Sequence, residues 1–311
     1  MFIGDKNFNQ LHLEIARLEL KLDAQDTELK IILPHSYKKF YKPVAHPQAF
    51  FLEGQKREKQ NSNIGQLTLN VRNKPLSNAP EFADIIPIFQ FDNWEIKFDR
   101  QGNFILEATR LPPARRIIIN DDFTQGEVQG EFSEMGMTGG YPLQDIDMKL
   151  FVNWLSHFGD IILHASGVVA DGKGYAFAGV AGVGKSTLAS SLFETHSLVV
   201  LGEDQLILRY LEDRFWIFGT PWHENPSMCS PVGVPLEKLF FLDRDSRQGV
   251  RDLKPLAGVT RILQTAFIPF YRQDFLPGIL DNLQNLSKQV PFYSLNYTLG
   301  TDPWPLIVKD S

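Results

Sequence analysis

Eight residues near the middle of the chain have the types and the spacing of a phosphate-binding loop. Residues 179–186 read Gly-Val-Ala-Gly-Val-Gly-Lys-Ser, a full match to the P-loop (Walker A) pattern Gly-x4-Gly-Lys-Ser/Thr. Glycines lack a Cβ, so backbone N–H groups can approach phosphate oxygens closely, and the helix that follows directs its positive dipole end at the anion. This segment, called the phosphate loop below, predicts a site for a nucleoside triphosphate or a similar polyphosphate.

The side chains of the phosphate loop have separate expected roles. Lys185 brings a full positive charge to the β- and γ-phosphates, and the Ser186 hydroxyl is a hard oxygen ligand suited to Mg²⁺. Thr187 supports the turn or contacts the α-phosphate. The alternative is a glycine-rich strand-to-helix turn that binds no ligand. The residues expected to bind ATP are Gly179, Gly182, Val183, Gly184, Lys185, Ser186 and Thr187.

Two acids and a histidine are candidates for the chemistry at the γ-phosphate. Glu203 and Asp204 follow a strand pattern at 198–202, and the carboxyl end of a parallel strand would lie beside the phosphate loop. An acid there holds Mg²⁺ or accepts the proton of an attacking hydroxyl. We expect Ser186, Glu203 and Asp204 at the metal, and Asp204 as the first choice for the base, with Glu203 or His164 assisting. The alternatives are a surface turn for the acidic pair and a satisfied core histidine for His164.

The elements that must position these residues alternate between strand and helix in the second half of the chain. This order predicts an α/β P-loop kinase domain over residues 141–311. Helical patterns cover 145–158, the segment after Lys185, 259–268 and 274–288. Strand patterns cover 160–170, 175–179, 198–202, the hairpin 205–219, 238–245 and 290–297.

The first 140 residues have a different texture, with short alternating segments separated by turns. They predict a β-rich α+β domain over residues 1–140, whose role the sequence leaves open. The polar run at 53–63 predicts an exposed loop. The strand candidates are 11–20, 29–33, 49–54, 66–72, 84–90, 93–99, 103–109 and 115–120.

The composition and charge of the chain argue against several classes of protein. The 311 residues carry a net charge of −6, which argues against a general nucleic-acid binder because such proteins present a basic surface. Cys229 is the only cysteine, so no intrachain disulfide can form. The N-terminus does not have the pattern of a signal peptide, and no apolar run reaches the roughly 18 residues of a spanning helix. We expect a cytoplasmic protein without membrane or nucleic-acid partners, and we leave a homo-oligomer open.

The order of these motifs resembles the catalytic domain of bacterial HPr kinase/phosphorylase. That family has a strand with a histidine, a hairpin, a loop ending in Gly-Lys-Ser and an acidic pair, as at His164, 179–186 and Glu203–Asp204, and the resemblance covers roughly residues 155–245. It implies a fold similar to phosphoenolpyruvate carboxykinase and transfer of phosphate from ATP to a serine of a small carrier protein. It also implies an acid of the pair as general base, and a reverse reaction with inorganic phosphate.

The chain departs from this family at three places. Glu203 stands where the family usually has Asp, and Thr187 stands at a position that is typically acidic there. The region 231–245 has Glu237 followed by Lys238 and Leu239, not the Glu-x-Arg-Gly signature that supports the reverse reaction. We therefore expect a related kinase with little or no phosphorolysis and with an acceptor other than HPr.

The function expected from the sequence is ATP- and Mg²⁺-dependent phosphorylation of a hydroxyl, with a serine of a small protein or peptide as the leading acceptor. One alternative is a kinase of the same fold that acts on a small metabolite. Another is a nucleotide-gated binding protein with little catalysis.

Two further segments were candidates for the acceptor or the phosphates. The loop 219–231 contains His223 and Glu224, which either bind acceptor or metal or belong to a rigid surface loop. A cationic cluster either neutralises an anionic ligand or is a solvated segment. Its members are Arg244, Arg247, Arg251 and Lys254.

Overall fold

The computed structural model describes residues 9–26, 29–42, 65–76, 85, 87–91, 93–108, 114–132, 139–223, 225–243, 249–298 and 300–309. The chain divides into two compact units, with the change between them after Phe151. The predicted strand 49–54, the predicted loop 53–63, Glu224, Arg244 and Arg247 lie outside the described residues.

The first unit is built on an eight-stranded mixed sheet in the order β1-β2-β4-β9-β8-β7-β6-β5. The pairs β2–β4 and β4–β9 are parallel and the other neighbours are antiparallel. A short 3₁₀ helix covers His35–Phe40, and β3 pairs with β10 outside this sheet. The strands are β1 (Gln10–Ile15), β2 (Leu18–Ala24), β3 (Lys30–Ile31), β4 (Gln66–Asn73), β5 (Phe89–Phe91), β6 (Trp94–Phe98), β7 (Phe104–Ala108), β8 (Arg115–Ile119), β9 (Gln125–Gly130) and β10 (Gly139–Gly140).

Several predictions for this unit were wrong in detail. Of the described residues in the strand predicted at 84–90, only 89 and 90 are in a strand, β5. The segment 11–20 is not one strand, because Ala16 and Arg17 take positive φ angles of 53° and 61° and turn the chain into a hairpin. A two-residue hairpin turn of this kind normally uses Gly or Asn, so the sequence carries no turn signal there. The sequence reading also missed β9, whose residues QGEVQG have low β-propensity and form a strand through their neighbours β4 and β8.

In its described residues, the second unit is a mixed α/β structure with nine strands. Its helices are α1 (Asp147–Ser156, which begins in the first unit), α2 (Lys185–His196), α3 (Pro255–Thr265), α4 (Leu276–Gln289) and α5 (Trp304–Val308). Its strands are β11 (Ile161–Ala170), β12 (Lys173–Ala178), β13 (Val199–Gly202), β14 (Gln205–Leu211), β15 (Arg214–Phe218), β16 (Gly233–Leu242), β17 (Gly249–Leu253), β18 (Ala266–Phe267) and β19 (Phe292–Asn296).

Five strands of this unit close into a ring. Each of the pairs β12–β11, β11–β14, β14–β15 and β15–β16 is antiparallel, and the parallel pair β16–β12 completes the circle. Strand β16 then continues the sheet to β19 and β17. Asp171–Gly172 and Glu212–Asp213 form the turns between β11 and β12 and between β14 and β15, and all four residues have positive φ.

Alternate residues of β16 divide the apolar interior into two cores. Leu239 and Phe241 belong to a core that includes Ile262 of α3 and Leu283 of α4. Phe240 and Leu242 point into the other core, with Leu188, Ala189 and Leu192 of α2. Side chains alternate between the two faces of the strand, and the apolar residues of α2 recur every three to four positions. Together these patterns determine which face of α2 packs on the sheet.

The site is positioned by the strands around β11. Strands β12 and β13 pair with opposite sides of β11, both antiparallel to it, so they run in the same direction. Ala178, the last residue of β12, lies opposite Ala165, and Gly202, the last residue of β13, lies opposite Gly167. The phosphate loop and the acidic pair therefore follow strands that end at the same edge of the sheet, as expected. The sheet is mixed and not parallel, because the antiparallel strand β11 lies between β12 and β13.

The helices predicted at 145–158 and 274–288 are present as α1 and α4, whereas the one predicted at 259–268 begins and ends earlier, as α3, and is followed by β18. Helix α1 ends before Gly159, which has the positive φ of 71° expected of a stop, and Pro277 sits in the first turn of α4, where no backbone N–H is needed. Within the described ranges, no helix has the length and apolar character needed to cross a bilayer.

Candidate active site

The phosphate loop connects β12 to α2. Gly179, Gly182 and Gly184 have φ angles of 159°, 74° and 111°, which place Gly182 and Gly184 clearly in backbone conformations that favour glycine. A Cβ on Gly179 would lie 2.9 Å from the Val183 side chain, so that glycine also permits a close approach within the loop. Helix α2 then begins at Lys185, and its first N–H groups have no acceptor within the helix.

Lys185 is the charged group inside the loop. Only 4% of the residue is exposed, and its Nζ donates to the carbonyl oxygens of Gly179 at 3.0 Å and Val180 at 3.2 Å. Burial lowers the pKa of Lys185, and the negative charge of Asp204 opposes that shift. The ammonium group is therefore held against the loop backbone and interacts electrostatically with the acidic pair.

The acidic pair occupies an interruption between two strands. β13 and β14 both pair with β11, and Glu203 and Asp204 fill the gap between them. Ala165 N donates to Asp204 O at 2.9 Å, which keeps this gap attached to β11. Ala165 also lies opposite Ala178, the residue before the phosphate loop. The acidic pair and the start of the phosphate loop therefore lie beside the same residue of β11.

His164 and Asp204 contact each other directly. Their Nε2 and Oδ1 atoms are 2.8 Å apart, and the other carboxylate oxygen, Oδ2, accepts a bond from Gln205 Nε2 at 3.0 Å. The hydrogen bond from His164 is the main cause that lowers the pKa of Asp204, against the effect of burial. The Asp204 side chain is 49% exposed, so this carboxylate is both ionised and open to solvent.

Glu203 has a different environment. Ser190 Oγ of α2 donates to Glu203 Oε1 at 3.4 Å, and Ser186 Oγ donates to the backbone oxygen of Glu203 at 3.3 Å. Burial raises the pKa of Glu203, and the charge of Asp204 adds to the shift. The two neighbouring carboxyls therefore have pKa values displaced in opposite directions.

The donor set fits a magnesium ion bound together with phosphates. Ser186, Glu203 and Asp204 offer only oxygen atoms, and Ser186 is brought to the acidic pair by its bond to Glu203 O. In the described parts of the chain, no group of three or more His, Cys, Asp or Glu residues could enclose a metal by itself. Mg²⁺ normally takes one or two carboxylates, and waters and substrate phosphates supply its remaining ligands, so this sparse set is compatible with it.

The loop after β15 brings His223 close to the acidic pair. Thr220 Oγ1 donates to Gln205 O at 2.9 Å and lies 3.1 Å from His223 Nε2. Because the threonine hydroxyl has a single proton, His223 Nε2 must be the donor in the second bond. Burial lowers the pKa of His223 to about 4, so this histidine is neutral at pH 7.

The three residues compared with the Glu-x-Arg-Gly signature, Glu237, Lys238 and Leu239, lie within strand β16. Glu237 pairs with exposed Lys173 at 2.9 Å. The buried Lys238 donates from Nζ to the carbonyl oxygens of Ile307 at 3.2 Å and Lys309 at 2.8 Å, at the end of α5. Of the predicted cationic cluster, Arg251 lies in β17 and Lys254 precedes α3.

Sequence reasoning missed two hydroxyl groups that contact the start of α2. Ser166 Oγ donates to Lys185 O at 3.0 Å, and Tyr297 Oη donates to Gly184 O at 3.1 Å. Ser166 stands in an apolar strand pattern, where a serine that is completely buried requires a partner. Tyr297 directly follows the last strand, and no local motif connects it with a loop more than 100 residues away.

Comparisons with known proteins give a distant structural match. No protein-family model and no curated protein matches the chain. Among solved structures, the HPr(Ser) kinase/phosphatase from Coxiella burnetii aligns with 15% identity and a TM-score of 0.29, over 47% of this chain and 85% of that chain. A similarity at this level carries no conclusion about activity, so the functional argument rests on the residues themselves.

Proposed function

We propose that this protein transfers the γ-phosphoryl group of ATP to a hydroxyl. The observation that supports the proposal is that the phosphate loop and the acidic pair lie at the same edge of the sheet. The phosphate loop begins after Ala178, opposite Ala165 of β11, and the acidic pair begins after Gly202, opposite Gly167. His164, next to Ala165 on the same strand, contacts Asp204. Anion binding and proton acceptance are thus available at the same place.

The binding roles follow from the donors on the loop. The N–H groups at the start of α2 and the Lys185 ammonium bind the phosphate oxygens, while the glycines allow the backbone to approach them. Ser186, with Glu203 or Asp204, would hold Mg²⁺, which supplies charge neutralisation to the phosphates when bound. Phosphoryl transfer depends mainly on positioning and electrostatic stabilisation, and these residues provide both.

Asp204 is the base in this proposal. The acceptor oxygen attacks the γ-phosphorus, its proton moves to Asp204, and the bond between the γ-phosphorus and the β–γ bridging oxygen breaks to release ADP. The hydrogen bond from His164 orients the Asp204 carboxylate and keeps it ionised before transfer. Glu203 is the less suitable base in this proposal because its carboxylate lies against α2, where Ser190 Oγ donates to it.

The acceptor we propose is a serine of a small protein or peptide. The half-exposed Asp204 side chain supports this choice over a small metabolite, because an open base admits a hydroxyl carried on a larger molecule. A kinase for a small metabolite would be expected to enclose its acceptor.

The test is transfer of label from γ-labelled ATP to fractionated extract of the source cells and to a library of serine peptides. The expected result is a labelled protein or peptide with wild-type enzyme and none with Lys185→Ala. Binding of ATP without any label transfer would favour the nucleotide-gated binding protein. Label in a small molecule would instead identify a metabolite kinase.

A further inference from the structure

We infer that Ser166 and Tyr297 are positioning residues that aim the phosphate-binding N–H groups at the start of α2. This inference rests on the proposed nucleotide site and adds two residues to it. The two residues, called the hydroxyl clamp below, act on the backbone of the loop and do not themselves touch phosphate.

The two hydroxyls act on consecutive peptide groups. Tyr297 donates to the carbonyl oxygen of Gly184 and Ser166 to that of Lys185, at 3.1 Å and 3.0 Å. In a planar trans peptide the carbonyl of one residue and the N–H of the next point in opposite directions. Fixing the Gly184 carbonyl therefore fixes the Lys185 N–H, and fixing the Lys185 carbonyl fixes the Ser186 N–H.

In the proposed site, those two N–H groups bind the phosphate oxygens. Lys185 and Ser186 are the first residues of α2, so their N–H groups have no acceptor inside the helix and are directed out of its N-terminus. Gly184 O already accepts the helical bond from Leu188 N at 2.9 Å. The tyrosine thus adds a second bond to a carbonyl that the helix already uses, and this restricts the orientation of the peptide plane.

The clamp holds the loop from both sides of β12. Ser166 belongs to β11, which pairs with β12 on one side. Tyr297 follows β19, which is reached from the other side of β12 through β16. Neither residue is near the loop in sequence, so the loop geometry is held by the sheet and does not depend on local contacts alone.

The chemistry of both residues suits a fixed donor. Ser166 is completely buried and its hydroxyl is committed to Lys185 O. Burial raises the pKa of Tyr297, which therefore keeps its phenolic proton at physiological pH. A Cβ on Gly184 would lie 3.3 Å from Tyr297 Oη, so glycine at this position also makes room for the tyrosine.

The test compares Tyr297→Phe, Ser166→Ala and the double variant with the wild type in the full chain. The probe is inorganic tripolyphosphate, with its dissociation constant measured by calorimetry, together with kcat and KM for ATP. Each single variant should weaken tripolyphosphate binding by roughly 3- to 10-fold, the range of one lost neutral hydrogen bond. The double variant should weaken it by more than either single variant.

Matched controls distinguish an effect on the orientation of the N–H groups from a general loss of stability. Ser156→Ala removes a serine hydroxyl that donates to a helical carbonyl, that of Val152, at 2.7 Å, and Tyr271→Phe removes a phenol that contacts Asn153. Both controls should lower the melting temperature without changing tripolyphosphate affinity. Clamp variants that lose thermal stability as the controls do, with unchanged tripolyphosphate affinity, would overturn the inference. If the wild type binds neither tripolyphosphate nor ATP, the proposed function itself fails.

Discussion

His164 Nε2 lies 2.8 Å from Asp204 Oδ1, and this contact gives the two adjacent acids different properties. The imidazole hydrogen bond lowers the pKa of Asp204, whereas burial raises the pKa of Glu203 next to it. Two neighbouring carboxyls whose pKa values are pushed apart are suited to different roles. The Asp204 carboxylate is ionised and open to solvent, whereas the Glu203 carboxylate lies against Ser190 of α2.

Asp204→Asn should reduce kcat by roughly 10²- to 10⁴-fold, because it removes the group that accepts the proton in the transition state. The dissociation constant for ATP should change by less than about tenfold, since a base contributes little to ground-state binding. Single-turnover transfer and ATP titration measure the two effects separately.

The neighbouring acid provides the comparison for this prediction. Glu203→Gln should reduce kcat less than Asp204→Asn and should shift the Mg²⁺ concentration needed for half-maximal rate. If Glu203→Gln is the more damaging change and Asp204→Asn is nearly silent, then the roles of the two acids are reversed.

Lys185→Ala should lower phosphotransfer by roughly 10²-fold or more, because it removes the point charge from the loop. The fold should persist, since the lysine side chain makes only two hydrogen bonds, both to carbonyls of the loop itself, and alanine is a good residue for the start of α2. The matched control is Lys173→Ala, which removes an exposed lysine on the same unit. Near wild-type turnover in Lys185→Ala would remove the basis of the proposed site.

The local parts of this site were predictable from sequence, and the long-range parts were not. The phosphate loop and the acidic pair each have a motif within a few residues, and a strand before and a helix after the loop are readable from periodicity. The contact of Tyr297 with Gly184 depends on the order of β12, β16 and β19, which no local pattern encodes. The contact of Ser166 with Lys185 depends on the register of the β11–β12 hairpin, which the strand patterns do not fix. The hairpin at Ala16–Arg17 was missed for a related reason, since tertiary pairing overrides the turn preferences of those residues.

His223 should make the protein less stable as the pH falls below neutrality. The folded protein holds this histidine neutral down to a pKa of about 4, while the unfolded chain binds the proton near pH 6.5. Between these values the unfolded state binds more protons, so the free energy of unfolding decreases as the pH is lowered. From pH 7 to 5 this residue should contribute a loss of about 1–2 kcal/mol.

Urea denaturation of His223→Gln at pH 7 and pH 5 measures that contribution. The variant should show a smaller decrease in unfolding free energy between the two pH values than the wild type. His196→Gln, at a histidine that contacts Asp302 at 3.0 Å, is the control for a general effect of removing a histidine. An unchanged pH slope in His223→Gln would mean that the histidine titrates normally in the folded state.

If the protein is the proposed kinase, we expect little or no phosphorolysis of its phosphorylated product. The residues matched to the signature of the reverse reaction, Glu237 and Lys238, contact Lys173 and the end of α5, so they offer no group to inorganic phosphate. The measurement is release of pyrophosphate from the labelled product, incubated with enzyme, Mg²⁺ and millimolar phosphate. Pyrophosphate formed at a rate similar to the forward reaction would require other residues to replace the signature.

Lys238→Met tests whether Lys238 contributes to the stability of the fold. The lysine is buried and caps the carbonyl oxygens of Ile307 and Lys309, so methionine, of similar length, leaves them without this donor. We expect a loss of about 1–3 kcal/mol in unfolding free energy, with kcat for forward transfer unchanged at a temperature where the variant is folded. The exposed Lys173→Met should cost less than about 0.5 kcal/mol. A fall in kcat with unchanged stability would place Lys238 in the reaction, in contradiction to its position under α5.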